Sequence, residues 1–121
     1  MGLFNKKKTP TLAQIKAAAE EQRKREEYES GLISAGLSCE ENGDTEGAIN
    51  NYEKLIEIKF VGSHPYKRLA IIYRKQKRYA DEIRVINSYK NITPSHLYNS
   101  DQAKYKWFRD RLDKAEELTK E

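Results

Sequence analysis

An apolar pattern that recurs 34 positions further along the chain is the strongest constraint on how this sequence can fold. The first occurrence has the spacing of three and four residues that marks one face of a helix, and it consists of Leu32, Ala35, Gly36 and Cys39. The second occurrence consists of Tyr66, Leu69, Ala70 and Tyr73. A period of this length is typical of proteins in which one supersecondary unit stacks upon the next.

Each occurrence is followed by a turn and by a second helical pattern. Asn42-Gly43-Asp44 interrupts the first unit, and Asp44 can cap a helix whose apolar face consists of Ala48, Ile49, Tyr52, Leu55 and Ile56. In the second unit Ser63 and Pro65 mark a helix start. A turn at Gln76-Lys77-Arg78 then precedes the face formed by Tyr79, Ile83, Ile86 and Tyr89. The sequence therefore predicts two helix-turn-helix hairpins, over residues 29–62 and 63–96.

These two units resemble tetratricopeptide repeats, whose family pattern is W-x2-L-G-x2-Y, then A-x3-F, then P. The matching residues are Gly36, Ala48 and Tyr52 in the first unit and Tyr66, Leu69, Tyr73 and Pro94 in the second. The resemblance implies an all-α fold, a short helical-hairpin solenoid with a right-handed superhelical twist. It also implies that the first helices of successive units line a concave groove in which a partner peptide lies.

Four residues depart from the family pattern, namely Leu32, Cys39, Phe60 and Glu82. Glu82 has the largest consequence, because the family places a small alanine between the two helices at that position. We expect the long side chain of Glu82 to carry its carboxylate out to water. Close packing of the second hairpin depends on that expectation.

Segments on either side of the repeats complete the predicted architecture. We expect residues 1–10 to form a disordered basic tail, and residues 11–28 an N-terminal helical extension that lengthens the first repeat helix or lies loosely over it. Residues 97–121 are expected to form a C-terminal capping helix that starts at Asp101 with Ser100 as its cap, because two repeats leave an apolar end uncovered. The apolar face of that helix consists of Tyr105, Phe108, Leu112, Ala115 and Leu118.

Residues that lie off the packed faces of the first helices predict a partner-binding groove. Ile33, Leu37 and Ile71 are apolar although the core does not need them, which is typical of an interaction surface. The basic residues beside them are Lys67, Arg68, Arg74 and Lys75, which would attract acidic side chains. Trp107 is either buried or turned toward this groove. The alternatives are that the N-terminal helix or Trp107 covers the apolar residues and that the basic residues form a solvated face.

The sequence offers little that could carry catalysis. The two histidines, His64 and His96, and the single cysteine, Cys39, do not have the spacing of zinc ligands, and no glycine-rich phosphate loop is present. Cys39 lies on a packed face and is expected to be an inert thiol. We therefore expect a protein that is not an enzyme and that requires no cofactor and no metal.

The charge distribution bears on partners. Residues 29–62 carry seven acidic and two basic side chains, a net charge of −5, whereas residues 63–96 carry two and eight, a net charge of +6. We expect an adaptor or scaffold that binds a protein partner, a peptide or helix with acidic and apolar residues, and a homodimer is possible. The alternative is a binder of nucleic acid or of an anionic surface that uses the basic second repeat and the N-terminal tail. A lone cysteine and the lack of an apolar leader or span suggest the cytoplasm.

Overall fold

A computed structural model describes residues 9–121, which form six helices and no strand. The helices are α1 (Leu12–Glu41), α2 (Thr45–Glu57), α3 (His64–Lys75), α4 (Tyr79–Ile92), α5 (Ser95–Tyr98) and α6 (Ala103–Thr119). The expected tail falls almost wholly on residues 1–8, which lie outside the described range. No helix within residues 9–121 is both long and apolar enough to cross a membrane.

The first hairpin consists of α1 and α2, which pack against each other. The predicted turn is present: Gly43 has a φ of 74°, a conformation that suits glycine, and the Asp44 carboxylate accepts a hydrogen bond from the Gly47 N–H at 2.9 Å. All five residues of the predicted apolar face of α2 are buried. The hairpin predicted from periodicity is therefore confirmed.

The N-terminal extension belongs to α1, so residues 12–41 are one uninterrupted helix. Thr11 and Gln14 form a capping box at its start, because the Thr11 hydroxyl accepts from the Gln14 N–H while the Gln14 side chain accepts from the Thr11 N–H. Of the two expectations for this segment, lengthening of the following helix is correct. The segment does not lie over the hairpins, and it leaves the predicted groove uncovered.

The second hairpin consists of α3 and α4, and α3 also packs against α2. Tyr66, Leu69, Ala70 and Tyr73 are buried as predicted, and Pro65 stands in the first turn of α3. Lys77 has a φ of 59° in the turn that joins the two helices. Because α3 packs against both α2 and α4, the apolar faces of the two hairpins form one continuous core from α1 to α4.

The final helix, α6, packs against α4 and closes the other end of the core. An aromatic cluster joins the two helices: the rings of Tyr89 and Phe108 are 4.5 Å apart between centroids, and Tyr89 also contacts Tyr66 and Tyr105. Burial of these large rings makes α6 part of the core.

The start of the final helix differs from the prediction. It begins at Ala103, not Asp101, and the Ser100 side chain does not cap it. Pro94 is followed by the short helix α5, which was not predicted from the sequence, and Ser100 donates its hydroxyl to the Leu97 carbonyl at the end of that helix. Arg109 of α6 holds the connection by donating to the carbonyls of Tyr98 and Ser100.

Candidate functional site

The candidate site is centred on one side of α3, which we call the α3 face and define as Lys67, Arg68, Ile71, Arg74 and Lys75. Each of the other four residues lies three or four positions from Ile71, so all five share one side of the helix. Arg68 reaches α1 on one flank, and Arg74 reaches α6 on the other. The α3 face therefore lies between α1 and α6.

A cleft of about 230 Å³ opens where α3 meets the C-terminal part of α1. Its lining residues are Glu40, Thr45, Arg68, Ile71, Ile72, Lys75 and Gln76. Ile71 is half-buried and supplies the apolar floor, while Lys75 is exposed at the edge. The cleft brings together three of the predicted site residues, Arg68, Ile71 and Lys75.

The positive charge of Arg68 is paired with a carboxylate of the same chain. Its guanidinium donates to both carboxylate oxygens of Glu40, at 2.6 and 3.1 Å, and Tyr52 donates its hydroxyl to the same carboxylate at 2.6 Å. Burial opposes ionisation of Glu40, but these hydrogen bonds outweigh it, so the pKa of Glu40 lies below its ordinary value. Arg68 thus links α3 to α1. Because its guanidinium is already paired, it is poorly available to a ligand.

Arg74 is also paired, and its partner is the buried carboxylate of Glu82. Arg74 Nε donates to Glu82 at 2.7 Å, and Arg111 Nε of α6 donates to the other oxygen of Glu82 at 2.9 Å. Glu82 is 0% exposed, so the expectation that its carboxylate reaches water is wrong. Burial deprives the Glu82 carboxylate of its hydration. The two arginines compensate for this loss by supplying hydrogen bonds and opposite charge.

Trp107 lies beside the α3 face on α6. It is half-buried, it packs edge-to-face on Phe108, and the Nζ atom of Lys67 is 5.2 Å from the centroid of its ring. Arg111 lies 5.0 Å from the same ring. Shallow clefts flank Trp107 on both sides, one lined by Lys67 and the other by Arg74. Trp107 is therefore neither fully buried nor free, and it forms part of the surface beside α3.

Ile33 and Leu37 are less central to this surface than the sequence indicates. Ile33 is half-buried and packs against the hydrophobic core, while Leu37 is exposed, with 40% of its surface accessible. Neither lines the cleft at Ile71. The structure thus brings six of the eight predicted residues together around α3 and α6 and leaves these two at the margin.

The free positive charge of the surface comes from lysines. Lys67, Lys75 and Lys104 form no ion pair with any residue in the range 9–121. Lys104 lines the cleft between Lys67 and Trp107 and was not predicted. Little in the sequence favoured the selection of Lys104, because a single lysine at the start of a charged helix is common. Glu40, Glu82 and Arg111 were missed as charge partners, because ion pairs between separate helices leave no mark in sequence spacing.

The described part of the chain contains no group of three or more His, Cys, Asp or Glu side chains able to hold a metal ion. His64, at the start of α3, packs edge-to-face on Tyr52 at 5.7 Å. Burial and the nearby Arg68 lower the pKa of His64. No family model, no curated protein and no solved structure matches this chain.

Proposed function

We propose that this protein is a non-catalytic binding module that holds a segment of a partner protein along the α3 face. The observation that carries the proposal is the proximity of two partly exposed apolar groups, Ile71 and Trp107, to lysines that have no carboxylate partner among residues 9–121. Apolar groups rimmed by charge are a common form of protein-binding surface. The resemblance to tetratricopeptide repeats and a cytoplasmic location belong to the same proposal.

The chemistry of the surface favours a segment with apolar residues flanked by Asp or Glu. Ile71 provides an apolar contact for one side chain of the partner. Trp107 is itself a large amphipathic side chain of the kind enriched at interfaces. Lys67 and Lys104 border Trp107, and Lys75 borders Ile71. Exposed lysines add speed and selectivity to association more than affinity. We therefore expect modest, salt-sensitive binding.

The nucleic-acid alternative has less support from the same residues. Arg68 and Arg74 are held by Glu40 and Glu82, so they are poorly placed to release counterions from a phosphate backbone. The ring of Trp107 has Lys67 and Arg111 over it, which leaves little of it free to stack on a base. Binding through the lysines alone would be weak at physiological salt.

Selection from a displayed library of random peptides tests the proposal directly. We expect enriched peptides to combine apolar with acidic residues, and their synthetic versions to change the fluorescence of Trp107, the only tryptophan in the chain. The double variant Ile71→Glu, Lys67→Glu should lose this binding while keeping its circular dichroism spectrum. The matched control, Val61→Glu with Lys54→Glu, makes the same kinds of change on exposed residues elsewhere and should bind as wild type does.

Two outcomes would count against this function. Enriched peptides that bind both double variants equally would place recognition outside the α3 face. Tight binding of a short single-stranded oligonucleotide, falling steeply with salt and stronger than that of any selected peptide, would favour the nucleic-acid alternative.

A further inference from the structure

His64 is a titratable residue that the proposed binding surface does not use. It is the first residue of α3 and is half-buried. Its Nε2 atom is buried and has no hydrogen-bond partner among residues 9–121. A neutral imidazole leaves one ring nitrogen without a proton, whereas the protonated ring carries an N–H on both. Protonation of His64 in this arrangement therefore buries a donor without an acceptor, which is costly.

The groups that face His64 come from three helices. From α3 itself, Arg68 and Lys67 bring positive charge, and the start of a helix also disfavours a cation. From α2, the neutral ring of Tyr52 packs edge-to-face on the imidazole at 5.7 Å between centroids. From α1, Glu40 brings negative charge. Burial and the two basic residues lower the pKa of His64, and the Glu40 carboxylate opposes them.

The Glu40 carboxylate is already bound to other donors while His64 is neutral. Arg68 donates to it at 2.6 Å, and the Tyr52 hydroxyl donates to it at 2.6 Å. His64 and Arg68 are four positions apart, so they lie on the same side of α3 and face the same carboxylate. A protonated His64 therefore competes with Arg68 for Glu40.

We propose that protonation of His64 loosens the pair between Arg68 and Glu40, so that in mild acid the Arg68 guanidinium binds a carboxylate of the partner at the α3 face. This inference rests on the function proposed above. Arg68 is placed for both partners, because it lines the cleft with Ile71 and Lys75 and 34% of its side chain is accessible. A free guanidinium also offers a carboxylate two parallel hydrogen bonds, which a lysine does not.

The coupling is reciprocal, so the partner affects His64 as well. A partner carboxylate that binds Arg68 leaves Glu40 free to stabilise the protonated imidazole. The pKa of His64 is therefore higher in the complex than in the unbound protein, where burial and Arg68 lower it. Binding then takes up a proton, and the affinity rises as the pH falls through the interval between the two pKa values.

Calorimetric titration with a synthetic peptide from the library selection, in which apolar residues are flanked by glutamates, measures the coupling. We expect wild type to bind this peptide about fivefold more tightly near pH 5.5 than near pH 7.5; the effect is modest because Arg68 is partly exposed. His64→Phe is the matched control. It keeps an aromatic ring beside Tyr52 and cannot be protonated, so its affinity should be equal at both pH values. Equal pH dependence of the two proteins would overturn the inference, as would its absence in wild type.

A second variant separates the release of Arg68 from the simple gain of one positive charge on His64. Arg68→Gln keeps the imidazole but has no guanidinium to release. The ratio of its affinities at the two pH values should therefore fall to that of His64→Phe. This ratio is the quantity compared, because the substitution can also change the affinity itself. A ratio as large as that of wild type would show that Arg68 is not released and would overturn the inference.

Nuclear magnetic resonance of the unbound protein tests the release of Arg68 without a peptide. We expect the Nε–H signal of Arg68 to lose its protection from exchange with water in step with the titration of the His64 ring. In His64→Phe the signal should stay protected over the same pH range. Protection that persists in wild type through the titration would overturn the inference and leave the proposed function intact. Release of Arg68 with no peptide bound at either pH would support the release and count against the proposed function.

Discussion

The hairpins α1–α2 and α3–α4 both contain a fully buried residue in the first turns of their second helix, 34 positions apart in sequence, yet the two residues differ in chemistry. Ala48 and the corresponding Glu82 are both 0% exposed. In the first hairpin this position is a small apolar contact. In the second it is a carboxylate held by Arg74 of α3 and Arg111 of α6.

The neighbour of each hairpin accounts for this difference. Arg111 comes from α6, which packs against α4, so Glu82 joins the second hairpin to the helix that closes the core. Arg74 also donates to the Arg111 carbonyl at 3.0 Å, which links α3 and α6 directly. A residue that departs from a repeat pattern can therefore mark the point at which a non-repeating element docks.

A second difference concerns how closely the helices approach. A Cβ added to Gly36 would lie 2.3 Å from Cε1 of Tyr52, so only glycine fits there. The residue 34 positions after Gly36 is Ala70, and the residue 34 positions after Tyr52 is the smaller Ile86. The first hairpin thus packs glycine against a ring, whereas the positions 34 residues later hold alanine and an aliphatic side chain.

The largest expected effect is that of Glu82→Ala. It should lower the free energy of unfolding by about 3–5 kcal/mol, because it leaves two partly buried arginines without their counter-charge. Urea unfolding followed by circular dichroism measures this loss. The triple variant Glu82→Ala, Arg74→Leu, Arg111→Leu should recover much of it. A loss below about 1 kcal/mol for the single variant would mean that the ion pairs do not hold α6 in place.

Gly36→Ala should have the next largest effect, a loss of about 1–3 kcal/mol in the free energy of unfolding, because the added methyl group meets the buried ring of Tyr52. Gly31→Ala is the control in the same helix. Nothing lies within 4 Å of a Cβ at Gly31, so alanine there should stabilise the protein by about 0.5–1 kcal/mol. Variants of equal stability would show that α1 and α2 are not in close contact at Gly36.

Glu40→Ala should cost less than Glu82→Ala, about 1–2 kcal/mol. It removes the acceptor of the Tyr52 hydroxyl and frees Arg68, but the pair it breaks is partly exposed and so partly screened by solvent. Thermal unfolding of the two variants side by side compares the half-buried pair with the buried one. Equal losses would contradict the ranking of these ion pairs by burial.

The smallest expected effect is a dependence of stability on pH through His64. Its pKa is lowered by burial and by the nearby Arg68, so below the ordinary histidine value of 6.5 the unfolded chain binds a proton more readily than the folded one. Stability should be level above about pH 6.5 and fall as the pH drops below it. His64→Phe keeps an aromatic ring beside Tyr52 and should flatten the profile between about pH 5 and 7.

A control separates His64 from other groups. The His96 side chain is exposed, so His96→Gln should leave the drop in place. Glu40 also has a lowered pKa, but its contribution is lost only as the pH falls below the ordinary glutamate value of 4.5. A profile that keeps its slope near pH 6 in His64→Phe would assign that slope to another group.

Much of the helical architecture could be predicted from sequence. Periodicity identified the buried faces of α2 and α3, and the glycine and aspartate at positions 43 and 44 identified the turn between α1 and α2. On α4 the prediction was wrong in part, because Tyr79 and Ile83 are only half-buried and the buried Val85 was missed.

The residues that mark helix starts were less reliable after Pro94, because Ser100 can serve either the turn that ends α5 or the start of α6. Ser100 has the chemistry of a helix cap, but its hydroxyl is used in the turn that ends α5. Backbone geometry, which spacing does not encode, decides such cases.

The candidate site was predicted only in part. The spacing of the five α3-face residues correctly placed them on one side of α3, because helical periodicity alone decides which residues share a face. From the sequence, all four basic side chains of the α3 face were expected to be free. In the structure, among the described residues, Arg68 and Arg74 are paired and only Lys67 and Lys75 are not. Glu40 lies 28 positions before Arg68, and Arg111 lies 29 positions after Glu82. Pairings over such distances depend on how whole helices pack.

The sequence by itself determined the number and pairing of the main helices, because apolar spacing and turn residues act over a few neighbouring positions. The tertiary structure alone decided which charges are paired within the described residues and which are not. It also decided that the N-terminal segment stands away from the body, since nothing local distinguishes a helix that packs from one that projects. The physical reason is that burial and ion pairing are properties of the packed assembly of helices.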